Sequence, residues 1–265
     1  MSVQNEMIAI LDSGVGGLSI FKAIRKALPH LSIVYGCDNK NFPYGPKSPE
    51  TVIQCISEFT KKTIQQFNPK LIVIACNTAS TLALETLRKN SSLPIVGVVP
   101  AIKPAALKTK TKVIGLLATP GTVQRPYTNQ LIQKYASDCK IIKVGSTRLV
   151  ELSEEKLRGK ILNLETVRNE IAPFFAPQTP LTVDTIILGC THFPLLIDEL
   201  SASTPKEIQW IDSSEAIANR VYSLTLPSQE VKPIFRAVFT QLNAEAQSLL
   251  PHLQSLGFSD ALEIK

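Results

Sequence analysis

Short runs of apolar, β-branched residues alternate along this chain with longer segments in which apolar residues recur every three or four positions. This alternation is typical of an α/β protein with mostly parallel sheets flanked by helices. The apolar runs predict strands at residues 7–11, 31–36, 71–75, 94–98, 112–118, 140–144, 183–188, 207–211 and 235–240.

Helical spacing predicts a long helix after Ser48, which is a good N-cap and is followed by Pro49 at the first helical position. The apolar stripe of this helix extends to Phe67 and includes Cys55, which we therefore expect in the core. Two further helices are predicted at residues 164–175 and 244–256.

A repeat relates two distant segments of the chain. Residues 71–78, LIVIACNT, resemble residues 185–192, TIILGCTH, because in each an apolar strand ends in a small residue, a cysteine and two polar residues. More loosely, the strands before Asp12 and Thr119 are each followed by a polar turn with glycine. Ligands of parallel α/β sheets bind at the carboxyl ends of strands, so we expect two similar lobes with an active site at their interface.

The repeat also predicts how the chain divides. We expect residues 1–105 to form the first α/β lobe and residues 106–212 to form the second. Residues 213–265 contain one predicted strand and one predicted helix, and we expect this segment to return to the first lobe.

Composition and charge narrow the range of partners. Of the 265 residues, 44% are hydrophobic and 19% are charged, as in folded proteins. No apolar run approaches the ~20 residues that span a bilayer, and residues 1–6 do not resemble a signal peptide, so we expect a cytoplasmic protein without a membrane partner. The net charge is +6, but the basic residues are scattered, and we expect no nucleic acid partner. The densest basic cluster is Lys108, Lys110 and Lys112, which we expect in a solvated loop.

The five cysteines are widely spaced and include no Cys-x-x-Cys pair. Their number and spacing argue against a zinc ribbon and a disulfide framework, and we expect no metal site. A cysteine is by default a small buried residue. Cys76 and Cys190 depart from that default because each ends a predicted strand and precedes polar residues.

Two thiols that approach a substrate carbon from opposite faces can move a proton on and off that carbon. One acts as a thiolate base and the other as an acid, and ordinary thiol pKa values near 8.5 make both states accessible. His192, two residues after Cys190, is a candidate acid–base partner. The developing carbanion needs preorganised donors and charge. Candidates near the strand ends are Asp12, Ser13, the glycine-rich residues 14–17, Asn77, Thr78, Thr122 and Thr191.

Other interpretations explain fewer of these residues. A dinucleotide site would need a third glycine where Ser19 stands, and Asp12 would repel a pyrophosphate. A cysteine hydrolase built on Cys190 and His192 leaves Cys76 unexplained. A two-lobed amino-acid-binding protein without catalysis needs neither thiol. A pyridoxal phosphate enzyme needs a Schiff-base lysine, and none occupies the strand-end motifs, so we expect no cofactor.

Five motifs together resemble the glutamate racemase family of the aspartate/glutamate racemase superfamily. The resemblance covers residues 8–210 and rests on ILDSGVGG at 10–17, FPYG at 42–45, ACNTA at 75–79, ATPGT at 118–122 and GCTHFP at 189–194. It implies two α/β lobes, a homodimer, and cofactor-independent interconversion of L- and D-glutamate for peptidoglycan. An aspartate racemase or a related decarboxylase is the alternative within the superfamily, although a decarboxylase needs only one of the two thiols.

The resemblance also implies roles for individual residues. Cys76 would take the proton from D-glutamate and Cys190 from L-glutamate. The family has a further acidic residue, for which Glu151 and Glu154 both qualify, and the preceding apolar pair Leu149-Val150 favours Glu154. Since the segment before Ile8 is short, activation by a cell-wall precursor is not expected. The residues that would bind substrate or assist catalysis are Asp12, Ser13, Tyr44, Gly45, Asn77, Thr78, Thr191 and His192.

Overall fold

The computed structural model describes residues 7–176, 182–205, 207–225 and 232–265. Residues 1–6, on which the expectation of no signal peptide rests, lie outside this part of the chain. The strands are β1 (Met7–Asp12), β2 (Ser32–Cys37), β3 (Leu71–Ile74), β4 (Ile95–Gly97), β5 (Val113–Ala118), β6 (Lys140–Gly145), β7 (Thr185–Leu188), β8 (Gln209–Ile211), β9 (Phe235–Phe239) and β10 (Asp260–Glu263).

The helices alternate with these strands through most of the chain. They are α1 (Leu18–Ala27), α2 (Pro49–Phe67), α3 (Asn77–Lys89), α4 (Ile102–Lys108), α5 (Pro120–Gln124), α6 (Pro126–Tyr135), α7 (Arg148–Leu157), α8 (Leu164–Ile171), α9 (Ile197–Ser203), α10 (Ser214–Tyr222), α11 (Ala244–Ser248) and α12 (Leu250–Ser255). Short 3-10 helices occupy Asn39–Asn41, Ala172–Phe175 and Phe193–Leu196. No helix in the described part of the chain is long and apolar enough to span a membrane.

The chain forms two compact units, residues 1–98 with 214–265 and residues 99–213. The first unit contains a six-stranded sheet in the order β10-β9-β2-β1-β3-β4, and each strand pair in it is parallel. One core cluster of this unit lies between the sheet and the packed helices α2 and α3, and includes Leu11, Val34, Phe59 and Ile74.

The second unit contains a four-stranded parallel sheet in the order β6-β5-β7-β8. This order repeats the β2-β1-β3-β4 order of the first sheet, with β1 corresponding to β5 and β3 to β7. The predicted sequence repeat is therefore also a repeat of topology. The prediction of an α/β fold with two lobes and mostly parallel sheets is confirmed.

Residues 99–105 belong to the second unit, whereas the sequence assigns them to the first lobe. The reason is the packing of α4, whose Ile102 and Ala105 are buried in one core with Ile114, Leu116 and Ile187 of the second sheet. Residues 214–265 lie in the first unit, where β9 pairs with the edge of β2.

The long helix α2 is confirmed, and the Ser48 side chain caps it by accepting a hydrogen bond from the Thr51 backbone N–H. Two other predicted helices are interrupted by proline, which has no backbone N–H to donate. The helix predicted at 164–175 ends at Ile171, and Pro173 lies in the 3-10 helix that follows. The helix predicted at 244–256 is divided into α11 and α12, with Pro251 in the first turn of α12.

Cys55 is only half-buried, so its prediction as a core residue is wrong. It packs beside the core but also lines a polar cavity of about 320 Å³ together with Asp38 and Glu58. Burial, followed by the charge of Asp38, raises the pKa of its thiol. Lys108, Lys110 and Lys112 are exposed, as expected, but only Lys110 and Lys112 lie in a loop, because Lys108 is the last residue of α4.

Candidate active site

In the first unit, the candidate residues follow two adjacent parallel strands. Asp12 ends β1, and Cys76 comes two residues after the end of β3, which pairs with β1. The Ala75 backbone N–H donates to the Leu11 carbonyl at 2.8 Å, which fixes the two strand ends beside each other. Asp12, Ser13, Tyr44, Cys76, Asn77 and Thr78, which we call the Cys76 cluster, are all buried.

Asp12 organises the glycine-rich turn rather than capping α1. Its Oδ1 accepts hydrogen bonds from the Gly14 backbone N–H at 3.2 Å and from the Ser13 hydroxyl at 3.3 Å. The N-cap of α1 is Gly17. A Cβ atom at Gly17 would lie 3.0 Å from Ala75 Cβ and 3.1 Å from Asp12 Cβ, so glycine is needed there for close packing behind the carboxylate.

Cys76 is the N-cap residue of α3, and its Sγ lies 3.9 Å from the Ser13 hydroxyl. A helix N-terminus carries partial positive charge, which favours a negative charge at this position. Asn77 begins α3, is 4% exposed, and its Oδ1 has no hydrogen-bond partner among the residues that the structure describes. A buried polar atom without a partner is costly, so Asn77 is well suited to contact a bound polar ligand.

Tyr44 is held by Asp38, a residue that the sequence analysis did not select. The Tyr44 hydroxyl donates to Asp38 Oδ2 at 2.5 Å, and the Asn41 amide donates to the same carboxylate. Burial, followed by the charge and hydrogen bond of Asp38, raises the pKa of Tyr44 far above its ordinary value, so the phenol stays protonated. Gly45 follows in a half-buried turn. The available signal for Asp38 was an acidic residue two positions after a predicted strand, one position further along than Asp12 is after its strand.

The second unit repeats this arrangement with different side chains. Thr119 follows β5 and caps α5, and its Oγ1 donates to the Thr122 hydroxyl at 3.0 Å. Cys190 comes two residues after β7, which pairs with β5. The Gly189 backbone N–H donates to the Leu117 carbonyl at 2.7 Å, as Ala75 does to Leu11 in the first unit.

Cys190, His192 and Glu154 form a connected set within the second unit. His192 Nδ1 lies 3.8 Å from Cys190 Sγ, and its Nε2 donates to Glu154 Oε1 at 2.9 Å. All three residues are buried. We call these three residues, together with the buried Thr191, the Cys190 cluster.

The electrostatics of the Cys190 cluster favour a charged imidazole. Burial alone lowers the pKa of His192, but the hydrogen bonds to Cys190 and Glu154 and the charges of these groups raise it to about 10. Such an imidazolium can stabilise a neighbouring thiolate and can also return a proton to it. The cluster therefore has the components of an acid–base relay.

The structure brings Glu154, and not Glu151, to His192. Glu154 is buried, whereas Glu151 is exposed and its carboxylate pairs with Arg148 at 2.9 Å. Arg158 also escaped the sequence analysis, although its guanidinium donates to Glu154 Oε2 at 2.7 Å. Its signal was the spacing of four residues from Glu154, which places the two side chains on one helical face.

The described residues contain no group of three or more His, Cys, Asp or Glu side chains that could hold a metal ion. All five cysteines are free thiols. The polar groups around Cys76 and Cys190 are instead hydroxyls, an amide, carboxylates and an imidazole. These groups suit recognition of an amino acid and transfer of a proton.

Residues 17–221 match the family model described as Asp/Glu/Hydantoin racemase. The chain belongs to that family. It is 46% identical to a glutamate racemase of Klebsiella pneumoniae over 95% of this chain and 89% of that protein. A glutamate racemase of Serratia proteamaculans is 45% identical over 95% of this chain and 88% of that protein. The resemblance stated above is thus confirmed, and the racemase is an isomerase that acts on an amino acid.

Solved structures show the same relationship. The glutamate racemase of Escherichia coli, in complex with L-glutamate and the activator UDP-MurNAc-ala, matches with a TM-score of 0.92 and 40% identity over 98% of both chains. The glutamate racemase of Francisella tularensis, in complex with D-glutamate, matches with a TM-score of 0.81 and 26% identity over 98% of this chain and 97% of that chain.

Proposed function

We propose that this racemase interconverts L- and D-glutamate without a cofactor, using Cys76 and Cys190 as its two proton-transfer groups. The observation that carries the proposal is the repeated topology in which each unit buries one thiol beyond the end of an equivalent strand, among polar groups. Two relatives were solved in complex with L-glutamate and with D-glutamate, which supports glutamate as the substrate.

The proposed reaction balances with the two thiols alone. The thiolate of one cysteine takes the α-hydrogen as a proton and becomes a thiol, while the opposite thiol gives its proton to the other face of the carbanion and becomes a thiolate. Following the family, Cys76 acts on D-glutamate and Cys190 on L-glutamate. His192 and Glu154 assist Cys190, and Asp12 assists Cys76.

The remaining polar residues recognise glutamate and stabilise charge that develops at its α-carbon. Asn77 offers a buried amide whose oxygen lacks a partner in the described part of the chain, and Gly45 offers its backbone. The hydroxyls that we assign to substrate binding belong to Ser13, Tyr44, Thr78, Thr122 and Thr191. Preorganised donors of this kind make the abstraction of a weakly acidic proton feasible.

Isotope incorporation in deuterium oxide tests the two-thiol reaction. If different thiols act on the two faces, D-glutamate formed early from L-glutamate carries deuterium, while the recovered L-glutamate retains hydrogen. Cys76→Ser and Cys190→Ser should each slow racemisation by ~10²-fold or more. Cys55→Ser and Cys139→Ser are matched controls, one in each unit, and should retain the wild-type rate. An undiminished rate in Cys76→Ser or Cys190→Ser contradicts the proposal.

Substrate and cofactor are tested on the same purified protein. Racemisation of L-glutamate, compared with L-aspartate, separates the proposal from the alternative of an aspartate racemase. Ligand binding without any α-hydrogen exchange would instead favour an amino-acid-binding protein. Activity that needs added pyridoxal phosphate, or that disappears with a chelator, would contradict cofactor independence.

The biological setting is proposed from the family. We propose that the racemase is a cytoplasmic homodimer and supplies D-glutamate for peptidoglycan. Growth of a D-glutamate-requiring bacterium on expression of this chain tests the supply, and sedimentation measures the oligomeric state. The E. coli relative was solved with an activator, UDP-MurNAc-ala. The expectation that such a compound does not activate this chain stays a prediction, and the rate with and without that compound tests it.

A further inference from the structure

Arg158 follows the last residue of α7 and makes two hydrogen bonds to Glu154. Its Nη1 donates to Glu154 Oε2 at 2.7 Å and to the Glu154 carbonyl at 2.8 Å. The pair is well shielded from water, since the side chains of Arg158 and Glu154 are 22% and 8% exposed. An ion pair in this environment is weakly screened and holds its geometry better than a surface pair does.

The two oxygens of the Glu154 carboxylate have different partners. Oε1 accepts from His192 Nε2, and Oε2 accepts from Arg158 Nη1. The other ring nitrogen of His192 faces Cys190 Sγ at 3.8 Å. One carboxylate therefore connects a guanidinium at its outer end to the imidazole that contacts the thiol.

Other charged residues near Glu154 and His192 form ion pairs of their own. Lys156, on α7, donates to Glu199 at 2.8 Å and to the Leu195 carbonyl at 2.9 Å, where α7 packs against the 3-10 helix after His192. Arg148 pairs with Glu151 and Glu155 at the opposite end of α7. Among these three basic residues, Arg158 is the one that contacts the Glu154 carboxylate.

We propose that Arg158 is a positioning residue for proton transfer at Cys190, because it fixes the Glu154 carboxylate and, through it, the orientation and charge of His192. The inference rests on the proposed function, in which Cys190 is one of the two proton-transfer groups. A guanidinium hydrogen-bonded to Oε2 prevents the carboxylate from rotating and partly neutralises its negative charge. Glu154 then orients His192 as a fixed hydrogen-bond acceptor, and it attracts the imidazole proton less strongly than a carboxylate without the guanidinium would.

The test compares Arg158→Met and Arg158→Lys with the control Arg148→Met, which removes the arginine at the first position of α7. Arg158→Met should lower kcat by about tenfold with little change in KM for glutamate, as expected of an outer partner that orients a reacting group. Arg158→Lys keeps a cation and should recover part of the loss. Arg148→Met should retain the wild-type kcat.

A readout that does not depend on racemisation is the NMR signal of the His192 ring in histidine-labelled protein. The chain has only three histidines, so His192→Asn identifies the signal. Arg158→Met should shift the Nε2–H signal, while Arg158→Lys and Arg148→Met leave it near the wild-type position. Arg158→Gln replaces Arg158→Met if circular dichroism shows that the latter is unfolded.

Each outcome decides the proposal. A shifted His192 signal together with a lowered kcat supports it. An unchanged signal overturns it, because Arg158 then does not act on the imidazole. A shifted signal with an unchanged kcat also overturns it, because Arg158 then orients a group that proton transfer does not use. If the proposed two-thiol reaction is itself wrong, Cys190→Ser will racemise glutamate at an undiminished rate, which distinguishes this failure from failure of the Arg158 proposal.

Discussion

His192 donates its Nε2–H to Glu154 Oε1 across 2.9 Å, within a buried environment and between residues 38 positions apart in sequence. The hydrogen bond fixes which ring nitrogen faces the acid and leaves Nδ1 towards Cys190. Because a carboxylate favours the charged imidazole, the pair sets both the orientation and the protonation of the group beside the thiol.

Glu154→Gln should lower kcat/KM by between about 10-fold and about 10²-fold, since it removes the charge that supports His192 but leaves the side-chain volume. Glu151→Gln is the control on the same helix and should change kcat/KM by less than about twofold, because Glu151 is exposed and its carboxylate pairs with Arg148 at the surface. L- and D-glutamate have equal free energies, so kcat/KM must fall by the same factor in both directions. Equal losses in the two variants would contradict the assignment of Glu154.

The sequence predicted the elements that depend on local patterns. The repeat of apolar strands followed by Cys76 and Cys190 predicted two topologically equivalent sheets, because strand pattern and strand end are encoded in neighbouring residues. The capped helix α2 was predicted for the same reason. The edge strand β10 was missed, since its half-exposed residues have no apolar alternation.

Contacts between distant side chains could not be derived in this way. Glu151 and Glu154 differ in direction by only about 60° around a helix, so spacing does not decide which one reaches His192. Family resemblance favoured Glu154, and packing of α7 near the His192 turn explains the choice. Asp38 and Arg158 were missed because their importance depends on Tyr44 and on Glu154, which they contact in the folded chain.

His192 should stabilise the folded protein by an amount that decreases as the pH rises. Its pKa is raised from 6.5 to about 10 in the folded protein, so the folded state binds more protons than the unfolded state between these values. The contribution is fully present below pH 6.5 and is lost as the pH rises through 10. The free energy of unfolding of wild type relative to His192→Asn, from urea titrations at several pH values, should therefore decrease across this range. A difference that stays constant with pH would contradict it.

His252 should show the opposite pH dependence. Burial, followed by the charge of Lys22, lowers its pKa, and its Nε2 has no hydrogen-bond partner within the described ranges. The unfolded chain therefore binds a proton more readily, and the folded state loses stability as the pH falls below about 6.5. His252→Gln should lose less of its free energy of unfolding than wild type between pH 7 and pH 5. A steeper loss in the variant than in wild type would show that the sign is wrong.

Tyr44→Phe should destabilise the first unit more than Tyr35→Phe does. The Tyr44 hydroxyl donates to a buried carboxylate, for which a hydrogen bond contributes about 1.5–3 kcal/mol, whereas the Tyr35 hydroxyl donates to the Gly14 carbonyl, worth about 0.5–1.5 kcal/mol. Both variants remove one oxygen from a buried ring, so volume effects are matched. Urea unfolding without substrate measures the difference. If Tyr35→Phe were the more destabilising variant, the hydrogen bond from Tyr44 to Asp38 would contribute little to the free energy of unfolding.

Gly17→Ala and Gly159→Ala should separate packing at the Cys76 cluster from backbone strain elsewhere. A Cβ at Gly17 meets Ala75, Tyr35 and Asp12 at 3.0–3.1 Å, so overpacking should cost about 1–3 kcal/mol and move the Asp12 carboxylate, lowering kcat/KM. Gly159 has a φ of +83° and open space around it, so alanine there should cost about 1–2 kcal/mol through strain alone and leave kcat/KM unchanged. Chemical unfolding and racemisation assays on both variants give the comparison. If Gly17→Ala retained wild-type kcat/KM while losing stability, Asp12 would tolerate displacement, and its proposed part beside Cys76 would fail.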